Sequence, residues 1–322
     1  MRATRGWFAQ AAKMGRADAL RRLAINLLTR EPFVSEQGMR MIQGAAQQGD
    51  GEAAHLCAVL AAQDPTLAGR WTVALDFLAH AAEGGYALAQ AQLRLLSGNE
   101  APEAPWHALS DGVDVTQWLA VPAARTLSAA PVVQAVDGFL PAELCDWLVE
   151  RARPRIAPAT VNDPRSGVAE RVDDVRSNSQ AGFRLDQRDF VLTLVQARMA
   201  AASGFSSDGF EPPMVLHYAV GEQYRPHFDF FDTRIAGQAE NVARAGQRVA
   251  TFLIYLSDDF DGGETDFPRL GIRYRGARGD ALLFHNVDAD GAPDPRTLHA
   301  GLAPARGEKW LFSQWIRQRR AA

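Results

Sequence analysis

Apolar residues in the first hundred positions recur every three to four residues, which is the spacing of an amphipathic helix. This pattern predicts helices over 17–28, 52–62 and 87–96. Each follows an Ala-Ala-x-x-Gly segment, in which the small alanines permit close helix packing and the glycine allows the positive φ that ends a helix. The three segments, which recur at spacings of 34 and 36 residues, lie at 11–15, 45–49 and 81–85. A helical repeat of this period predicts an N-terminal α-solenoid.

The pattern changes in the C-terminal part of the chain. Beyond residue 214, short runs of apolar, β-branched and aromatic residues are separated by Gly, Asp and Pro, which predicts β-strands joined by turns. The predicted strands are 214–220, 227–231, 248–257, 272–275, 280–286, 297–302 and 308–317, with a further strand at 132–136. Several short strands with turns between them indicate a β-sandwich or barrel. Helical spacing predicts flanking helices at 141–153 and 185–202.

These patterns together predict an α+β chain with two folded parts. The α-solenoid of helical repeats occupies 1–98, a linker and lead-in occupies 99–130, and the β domain with its flanking helices occupies 131–320. The linker begins with Asn99 to Trp106, a stretch with the proline and polar content of a connecting segment. We expect the repeats to form a helical unit separate from the β domain.

Composition excludes several classes of function. The 322 residues are 47% hydrophobic and 22% charged, which is ordinary for a soluble globular protein. A net charge of -4 gives no basic surface for nucleic acid. No apolar run approaches the roughly 18 residues of a membrane-spanning helix, and the N-terminus has no apolar core of a signal peptide, so we expect a cytoplasmic protein without a membrane partner. Cys57 and Cys145 fall in different predicted domains and are expected to be reduced.

The chemistry centres on a His-x-Asp pair. On a predicted strand, His227 and Asp229 are two positions apart and would point to the same side. With the distant His299 they make a set of two histidines and one carboxylate, which is the ligand set of non-haem Fe(II) oxygenases. A His-x-Asp pair alone is common by chance, and its alternative is a pair of polar residues on a surface strand.

Lys309 strengthens the prediction. It lies ten residues after His299, beyond a turn predicted at 304–307, and begins an apolar β-rich run. A lysine buried beside a metal site would need an anionic partner, because burying an unpaired ammonium is costly. The alternative is a lysine on the surface of the strand.

Five motifs between residues 218 and 310 carry a resemblance to a known family. They are Y-x-x-G-x-x-Y-x-P-H-x-D (218–229), R-V-A-T-F-L-I-Y-L-S (248–257), F-D-G-G-E-T-D-F-P (260–268), G-D-A-L-L-F (279–284) and H-A-G-x-x-P-x-x-G-x-K-W (299–310). In content and order they resemble the prolyl 4-hydroxylase branch of the Fe(II)/2-oxoglutarate dioxygenases, and the resemblance extends over about 131–317. The N-terminal repeats resemble Sel1-like repeats, a subclass of the tetratricopeptide type.

The resemblance implies a fold and a site. The β domain would be a double-stranded β-helix, or jelly roll, with iron at its mouth. Fe(II) would be bound by His227, Asp229 and His299. The 5-carboxylate of the co-substrate 2-oxoglutarate would be bound by Lys309, Tyr218 and Thr265. The other small molecules implied are O2 and, as a reductant, ascorbate.

The implied reaction couples oxidative decarboxylation of 2-oxoglutarate, which gives succinate and CO2, to hydroxylation of a substrate C–H bond. Two substrate classes stay open: a prolyl residue or other peptidyl substrate, and a free amino or imino acid or natural-product intermediate. A third hypothesis is a non-catalytic interaction protein that binds partners through its repeats. The repeats themselves have two interpretations, a partner or dimer contact surface and a helical cap on the catalytic domain.

Four other polar or aromatic residues near these motifs receive structural interpretations. Arg176 and Ser177 lie in a polar stretch, 157–183, and are interpreted as solvated loop residues rather than substrate contacts. Tyr224 is interpreted as packing near the metal strand. His285 is interpreted as a structural histidine.

Overall fold

A computed structural model describes residues 15–29, 35–99, 101–162, 169–170 and 175–318. Most of the first predicted Ala-Ala-x-x-Gly segment, at 11–15, lies outside the described residues. The chain divides into two compact units. The helical unit comprises 1–120 and also Arg184–Arg198, and the β unit comprises 121–183 and 199–322. The domain boundaries proposed from the sequence stay a prediction, because compactness does not show which segment folds alone.

The helices confirm the helical pattern read from the N-terminal sequence. They are α1 Ala17–Thr29, α2 Ser35–Gln47, α3 Gly51–Gln63, α4 Arg70–Glu83, α5 Ala87–Ser97, α6 Trp106–Asp111, α7 Val115–Leu119, α8 Ala142–Ala152, α9 Phe190–Ser203 and α10 Ala236–Ala245. Short 3-10 turns occupy Arg153–Arg155, Leu185–Gln187, Ser207–Gly209 and Pro295–Thr297. Among the described helices, none is both long enough and apolar enough to cross a membrane. That these helices are Sel1-like repeats stays a prediction.

Consecutive helices of the helical unit pack against one another, α1 on α2 through to α4 on α5. Alanines on the facing sides are almost fully buried, which lets the helices approach closely. Asp50 begins α3 by accepting a hydrogen bond from the backbone N–H of Ala53 at 2.9 Å, and this satisfies one of the unpaired donors of the first turn. Gly49 and Gly85, at φ 87° and 80°, follow the preceding helices in the left-handed region that the sequence pattern requires.

The segment predicted as a linker folds back onto α5. The Arg94 guanidinium donates hydrogen bonds to the carbonyls of Ala101 and Pro102, at 3.2 and 3.3 Å. It also lies 4.9 Å from the centre of the Trp106 ring. Trp118, further along, donates its indole N–H to the Leu96 carbonyl at 3.1 Å. Residues 101–118 therefore extend the helical unit.

One element of the helical unit comes from much later in the chain. The side-chain oxygen of Gln92, on α5, accepts hydrogen bonds from the backbone N–H groups of Phe190 and Val191, at 2.7 and 3.2 Å. The side-chain nitrogen of Gln92 lies 2.9 Å from His55 Nε2. Gln92 and Phe190 are fully buried. A buried glutamine thus supplies the acceptor that the start of α9 needs, and the sequence pattern gave no sign of it.

The β unit is built from antiparallel strands. The strands are β1 Arg125–Ala129, β2 Val132–Val136, β3 Ala157–Pro158, β4 Val161–Asn162, β5 Ala169–Glu170, β6 Ser179–Gly182, β7 Met214–Tyr218, β8 Tyr224–His227, β9 Arg248–Tyr255, β10 Phe260–Gly262, β11 Thr265–Phe267, β12 Ile272–Tyr274, β13 Ala281–His285, β14 His299–Gly301, β15 Pro304–Gly307 and β16 Lys309–Arg317. An eight-stranded sheet has the order β1-β2-β13-β9-β16-β7-β6-β3, and a four-stranded sheet has the order β12-β11-β14-β8. The architecture is that of a jelly roll.

The core of the β unit joins the two sheets. Leu253, Tyr255 and Phe284 of the larger sheet belong to the same buried cluster as Phe267 and Tyr274 of the smaller sheet. Antiparallel sheets that pack face to face bury alternate side chains in this way. The cluster also includes Tyr218 and Leu311, which lie on the strands that lead to the candidate site.

Some predicted boundaries in the β unit were wrong. The strand expected at 227–231 runs instead over Tyr224–His227, so Asp229 lies beyond its end. The turn expected at 304–307 is strand β15, which pairs with β10. Residues 232–247, for which the sequence pattern predicted neither strand nor helix, contain α10. In each case, pairing with a distant strand or packing decided the local structure, which a short sequence window does not contain.

Candidate metal centre

The predicted metal ligands meet between β8 and β14. His227, the last residue of β8, is directly opposite His299, the first residue of β14. Asp229 follows two residues after the end of β8 and turns back towards both imidazoles. Its carboxylate oxygens lie 3.7 Å from His227 Nε2 and 3.5 Å from His299 Nε2. One donor atom from each of the three residues lies within 4.8 Å of the other two, so a single ion can contact all three. We call these residues the strand cluster.

Both histidines are held in the tautomer that a metal requires. His227 Nδ1 lies 2.8 Å from the Arg225 carbonyl oxygen, and His299 Nδ1 lies 3.0 Å from the Thr297 carbonyl oxygen. A carbonyl only accepts, so each Nδ1 carries the proton and donates it. The Nε2 lone pairs are left free and face Asp229. Backbone acceptors of this kind orient the ligating histidines of metal sites.

A buried network fixes the carboxylate of Asp229. The Thr251 hydroxyl donates to Asp229 Oδ2 at 2.6 Å, and the Asn286 side-chain amide donates to Thr251 Oγ1 at 3.0 Å. Thr251 and Asn286 are almost fully buried. Burial alone would raise the pKa of Asp229, but the two imidazoles, Arg248 and the Thr251 hydroxyl hold the pKa below its usual value. Asp229 is therefore an anion before any metal arrives. Sequence reasoning did not identify Thr251 or Asn286.

The charges of the strand cluster suit a divalent cation. Burial, and then the proximity of His299, lower the pKa of His227 to about 3, so its imidazole is neutral and able to ligate. Two neutral imidazoles and one carboxylate fit the donor set that binds Fe(II) in non-haem oxygenases. Three protein ligands leave coordination positions for small molecules. The residues present therefore fit the iron that the sequence implied.

Lys309 is fully buried and its ammonium has no hydrogen-bond partner in the described part of the chain. Nζ lies 5.0 Å from the centre of the Tyr218 ring and 5.5 Å from that of Tyr255. Burial lowers the pKa of Lys309 to about 7, although Glu264 acts to raise it. Burying an ammonium without a partner costs folding free energy. An anionic ligand that paired with Lys309 would offset this cost, so the position favours binding of an anion.

The remaining predicted contacts line the same cavity as Lys309 and the strand cluster. Tyr218 is opposite Lys309 in the register of β7 and β16. The Thr265 hydroxyl lies 2.9 Å from the Tyr255 hydroxyl. Tyr218 and Thr265 both line the cavity, together with Leu311, Ser313 and Trp315 of β16. The structure thus places all six predicted site residues around one cavity.

Near the cavity, Arg176 was misjudged from the sequence, whereas Tyr224 packs beside the metal ligands as expected. Arg176, expected to be solvated, is 4% exposed, lines the cavity and donates to Asn178 Oδ1 at 3.0 Å. Tyr224 stacks on the His227 ring with centroids 3.5 Å apart, and Arg176 covers the same tyrosine ring at 4.5 Å. Arg176 lies in a polar stretch whose composition indicates a loop. An isolated β-bridge to Tyr224 and side-chain hydrogen bonds to Asn178 and to the Thr160 carbonyl hold it inside. His285 is half-buried against Phe205 and is not among the residues that line the cavity.

Comparison with known proteins places this geometry in a family. Residues 213–317 match the 2OG-Fe(II) oxygenase superfamily. Prolyl 4-hydroxylase 1 of Arabidopsis thaliana is 35% identical over 209 residues, which cover 61% of this chain and 72% of the relative. Probable prolyl 4-hydroxylase 3 of the same plant is 33% identical over 220 residues, with 62% and 72% covered.

Among solved structures, a viral collagen prolyl hydroxylase from Paramecium bursaria Chlorella virus-1, in complex with 2-oxoglutarate, is 27% identical. It covers 57% of this chain and 94% of its own, with a TM-score of 0.44. The sequence comparisons carry the assignment, and they agree with the donor set and the buried lysine described above. The chain belongs to the prolyl 4-hydroxylase family of Fe(II)- and 2-oxoglutarate-dependent dioxygenases.

Proposed function

We propose that this enzyme hydroxylates prolyl residues of a peptide or protein, with Fe(II) bound by His227, Asp229 and His299. The observation that carries the proposal is the arrangement of one cavity. It contains three metal donors within 4.8 Å of one another and a fully buried ammonium without a partner. A metal site and an anion site in one cavity are what a reaction that uses Fe(II) and a dicarboxylate needs.

When bound with 2-oxoglutarate and O2, the iron supplies the oxidative chemistry, in which 2-oxoglutarate becomes succinate and CO2 and a substrate C–H bond becomes C–OH. The protein residues hold the metal in a fixed position. The backbone acceptors of Arg225 and Thr297 keep each Nε2 directed at it, and Thr251 holds the carboxylate. Burial of Asp229 and His299, each 5% exposed, limits access of water to the ligands.

We assign Lys309, Tyr218 and Thr265 to the far carboxylate of 2-oxoglutarate. The carboxylate would give the Lys309 ammonium the charge partner that it lacks, and a charge-assisted hydrogen bond there is stronger than a neutral one. The hydroxyls of Tyr218 and Thr265 are donors that line the same cavity. This contact fixes the co-substrate at the end where no bond breaks, so it contributes to binding more than to the chemical step.

The charges around the cavity favour a peptidyl substrate over a free amino or imino acid. A free amino acid presents a carboxylate and an ammonium, and each needs a partner when it is desolvated. Among the described residues that line the cavity, the sole carboxylate is that of Asp229, which the metal would occupy. A prolyl residue within a peptide has neither charge. The prolyl 4-hydroxylases named above support the same substrate class.

The test is a comparison of substrates on the purified full-length chain with Fe(II), 2-oxoglutarate, ascorbate and O2. Proline-rich peptides, a matched peptide with alanine at each proline, and free proline are assayed for succinate and for addition of one oxygen by mass spectrometry. We expect oxygen to be added to the proline-rich peptide alone. Hydroxylation of free proline with no reaction on peptides would reject the peptidyl assignment and leave the iron chemistry standing.

A further inference from the structure

A second group of metal-binding side chains lies in the helical unit. His80 and Glu83 occupy the last turn of α4, and His107 lies on α6. We propose that these three residues, which we call the helix cluster, form a surface site for a divalent transition ion such as Zn2+. This site is separate from the reaction and holds α6 against α4.

The geometry already approximates a ligand set. His80 and Glu83 are three residues apart on a helix and therefore lie on one face. His107 Nε2 lies 3.3 Å from Glu83 Oε1, and one donor atom from each residue lies within 4.8 Å of the other two. Ligands about 2.0 Å from a tetrahedral zinc ion are roughly 3.3 Å apart. Because all three side chains are exposed, small rotations can close the remaining gap without disturbing the core.

The donor types select the kind of ion. Two imidazoles and one carboxylate are a common zinc donor set, whereas calcium and magnesium take oxygen ligands. A third donor is what separates the helix cluster from an ordinary exposed ion pair. The His107–Glu83 contact alone, with side chains 51% and 45% exposed, would contribute little to stability.

The backbone around the helix cluster also favours a cation. The cluster lies at the C-terminal end of α4, where the aligned peptide dipoles of the helix give a partial negative charge. The Gly84 N–H closes this end by donating to the His80 carbonyl at 3.0 Å, and Gly85 continues in the left-handed conformation. The turn that carries His80 and Glu83 is therefore held in place before a metal binds.

The role that follows is structural. Helix α6 has six residues, and a helix this short is marginal without outside contacts. It packs against α4 and α5, and Trp106 at its start lies under Arg94. A metal bound by His80, Glu83 and His107 would fasten α6 to α4 by bonds that are independent of this packing.

Metal stoichiometry of the untagged full-length chain tests the site, because a polyhistidine tag would itself bind zinc. After removal of metal by a chelator, bound Zn2+ is measured by equilibrium dialysis. We expect two equivalents in the parent chain, one in His107→Ala, one in His227→Ala, and none in the double variant. Glu83→Gln, which changes no imidazole, should weaken binding of the Zn2+ equivalent that His107→Ala removes.

His217→Ala is the matched control. The His217 imidazole also contacts a carboxylate, that of Glu308, at 3.1 Å, but among the described residues no third metal donor lies beside that pair. His217→Ala should bind as many equivalents of Zn2+ as the parent chain. Loss of an equivalent in His217→Ala would overturn the assignment to the helix cluster.

A residue-specific measurement completes the test. The chain contains seven histidines, so long-range 1H–15N correlation spectra can resolve each imidazole. In the His227→Ala background, Zn2+ should change the ring nitrogens of His80 and His107 and leave His55 and His285 as they were. Retention of the zinc equivalent in the His107→Ala, His227→Ala double variant, or no response from His80 and His107, would refute the proposal. Neither outcome bears on the iron site.

Discussion

The strand cluster and the helix cluster contain the same donors, two histidines and one carboxylate, in opposite settings. Asp229 and His299 are buried, and the two histidines lie opposite one another on β8 and β14. Each histidine is bonded to a backbone carbonyl, and Asp229 is bonded to Thr251. The helix cluster is exposed and its residues extend from two helices. Donor identity alone therefore does not decide what a metal site does.

Burial and supporting hydrogen bonds make the difference. A metal in the strand cluster would face a cavity that also contains an unpaired ammonium, so it could act on a bound molecule. A metal in the helix cluster would face water, and the role proposed for it is to stabilise α6. Supporting partners of metal ligands tune affinity and orientation, and the described contacts supply such partners to the strand cluster. Substitutions should separate the two settings, and loss of a ligand of the strand cluster should have the largest effect.

Removing a ligand of the strand cluster should abolish catalysis. Asp229→Ala deletes the one carboxylate among the donors and leaves two imidazoles. Loss of an outer partner of a ligand already costs about 10–100-fold, so loss of the ligand should cost more than about 100-fold in turnover. Asp261→Ala, which removes an exposed partner of Arg306, is the control. Turnover at the parental rate in Asp229→Ala would show that the ligand assignment is wrong.

Removing Lys309 should act on co-substrate affinity. Loss of one partner of a desolvated ion pair costs on the order of 3–5 kcal/mol, or roughly a hundred- to several-thousand-fold in affinity. Lys309→Ala should therefore raise the KM for 2-oxoglutarate far more than it lowers kcat. Lys309→Arg keeps the charge but crowds the cavity, so its KM for 2-oxoglutarate should lie between those of the parent and of Lys309→Ala. The dependence of succinate formation on 2-oxoglutarate measures both, and an unchanged KM in Lys309→Ala would place the anchor elsewhere.

Without ligand, the same lysine should destabilise the fold. Burial lowers the pKa of Lys309 from 10.5 to about 7, so between these values the unfolded chain binds more protons than the folded chain. The free energy of unfolding should therefore rise as pH increases through this window. At about 1.4 kcal/mol per pKa unit the rise has an upper bound of about 5 kcal/mol. Below about pH 7, Lys309 is protonated in both the folded and the unfolded chain, so its destabilising effect no longer changes with pH.

Lys309→Met should remove that dependence. The variant replaces the ammonium with an apolar side chain of similar length, so the ligand-free protein should be more stable than the parent at neutral pH while its affinity for 2-oxoglutarate is lost. Denaturant unfolding at about pH 7 and about pH 9.5 measures the change. Identical pH slopes in the parent and in Lys309→Met would show that Lys309 is solvated.

The smallest of these effects should come from the hydroxyl that supports Asp229. Thr251→Val removes the donor to Asp229 Oδ2 with little change of shape, and should weaken metal affinity by about 10–100-fold. Anaerobic titration with Fe(II) or Co(II) measures it without turnover. Thr193→Val removes a buried threonine hydroxyl that donates to the Asp189 carbonyl, and should leave metal affinity unchanged. In the helix cluster, by contrast, loss of a donor in His107→Ala should leave turnover at the parental rate. Equal metal affinity in Thr251→Val and the parent would mean that Asp229 needs no such support.

The sequence by itself determined the residue types and their order. The His-x-Asp motif, the later histidine and the lysine ten residues beyond it predicted the strand cluster and the anion site proposed beside it. Helical periodicity predicted α1, α3 and α5 to within one residue at each end. These signals are local, because a helix repeats every 3.6 residues and a strand every two.

The tertiary structure decided which distant residues meet. It placed Asp229 beyond the end of β8, Thr251 and Asn286 behind Asp229, and buried Arg176 over Tyr224. It also brought His107, from a segment expected to be a linker, to Glu83. Such contacts depend on which segments pair and pack across long stretches of chain, and the period of a short segment does not show which distant segment will be its neighbour.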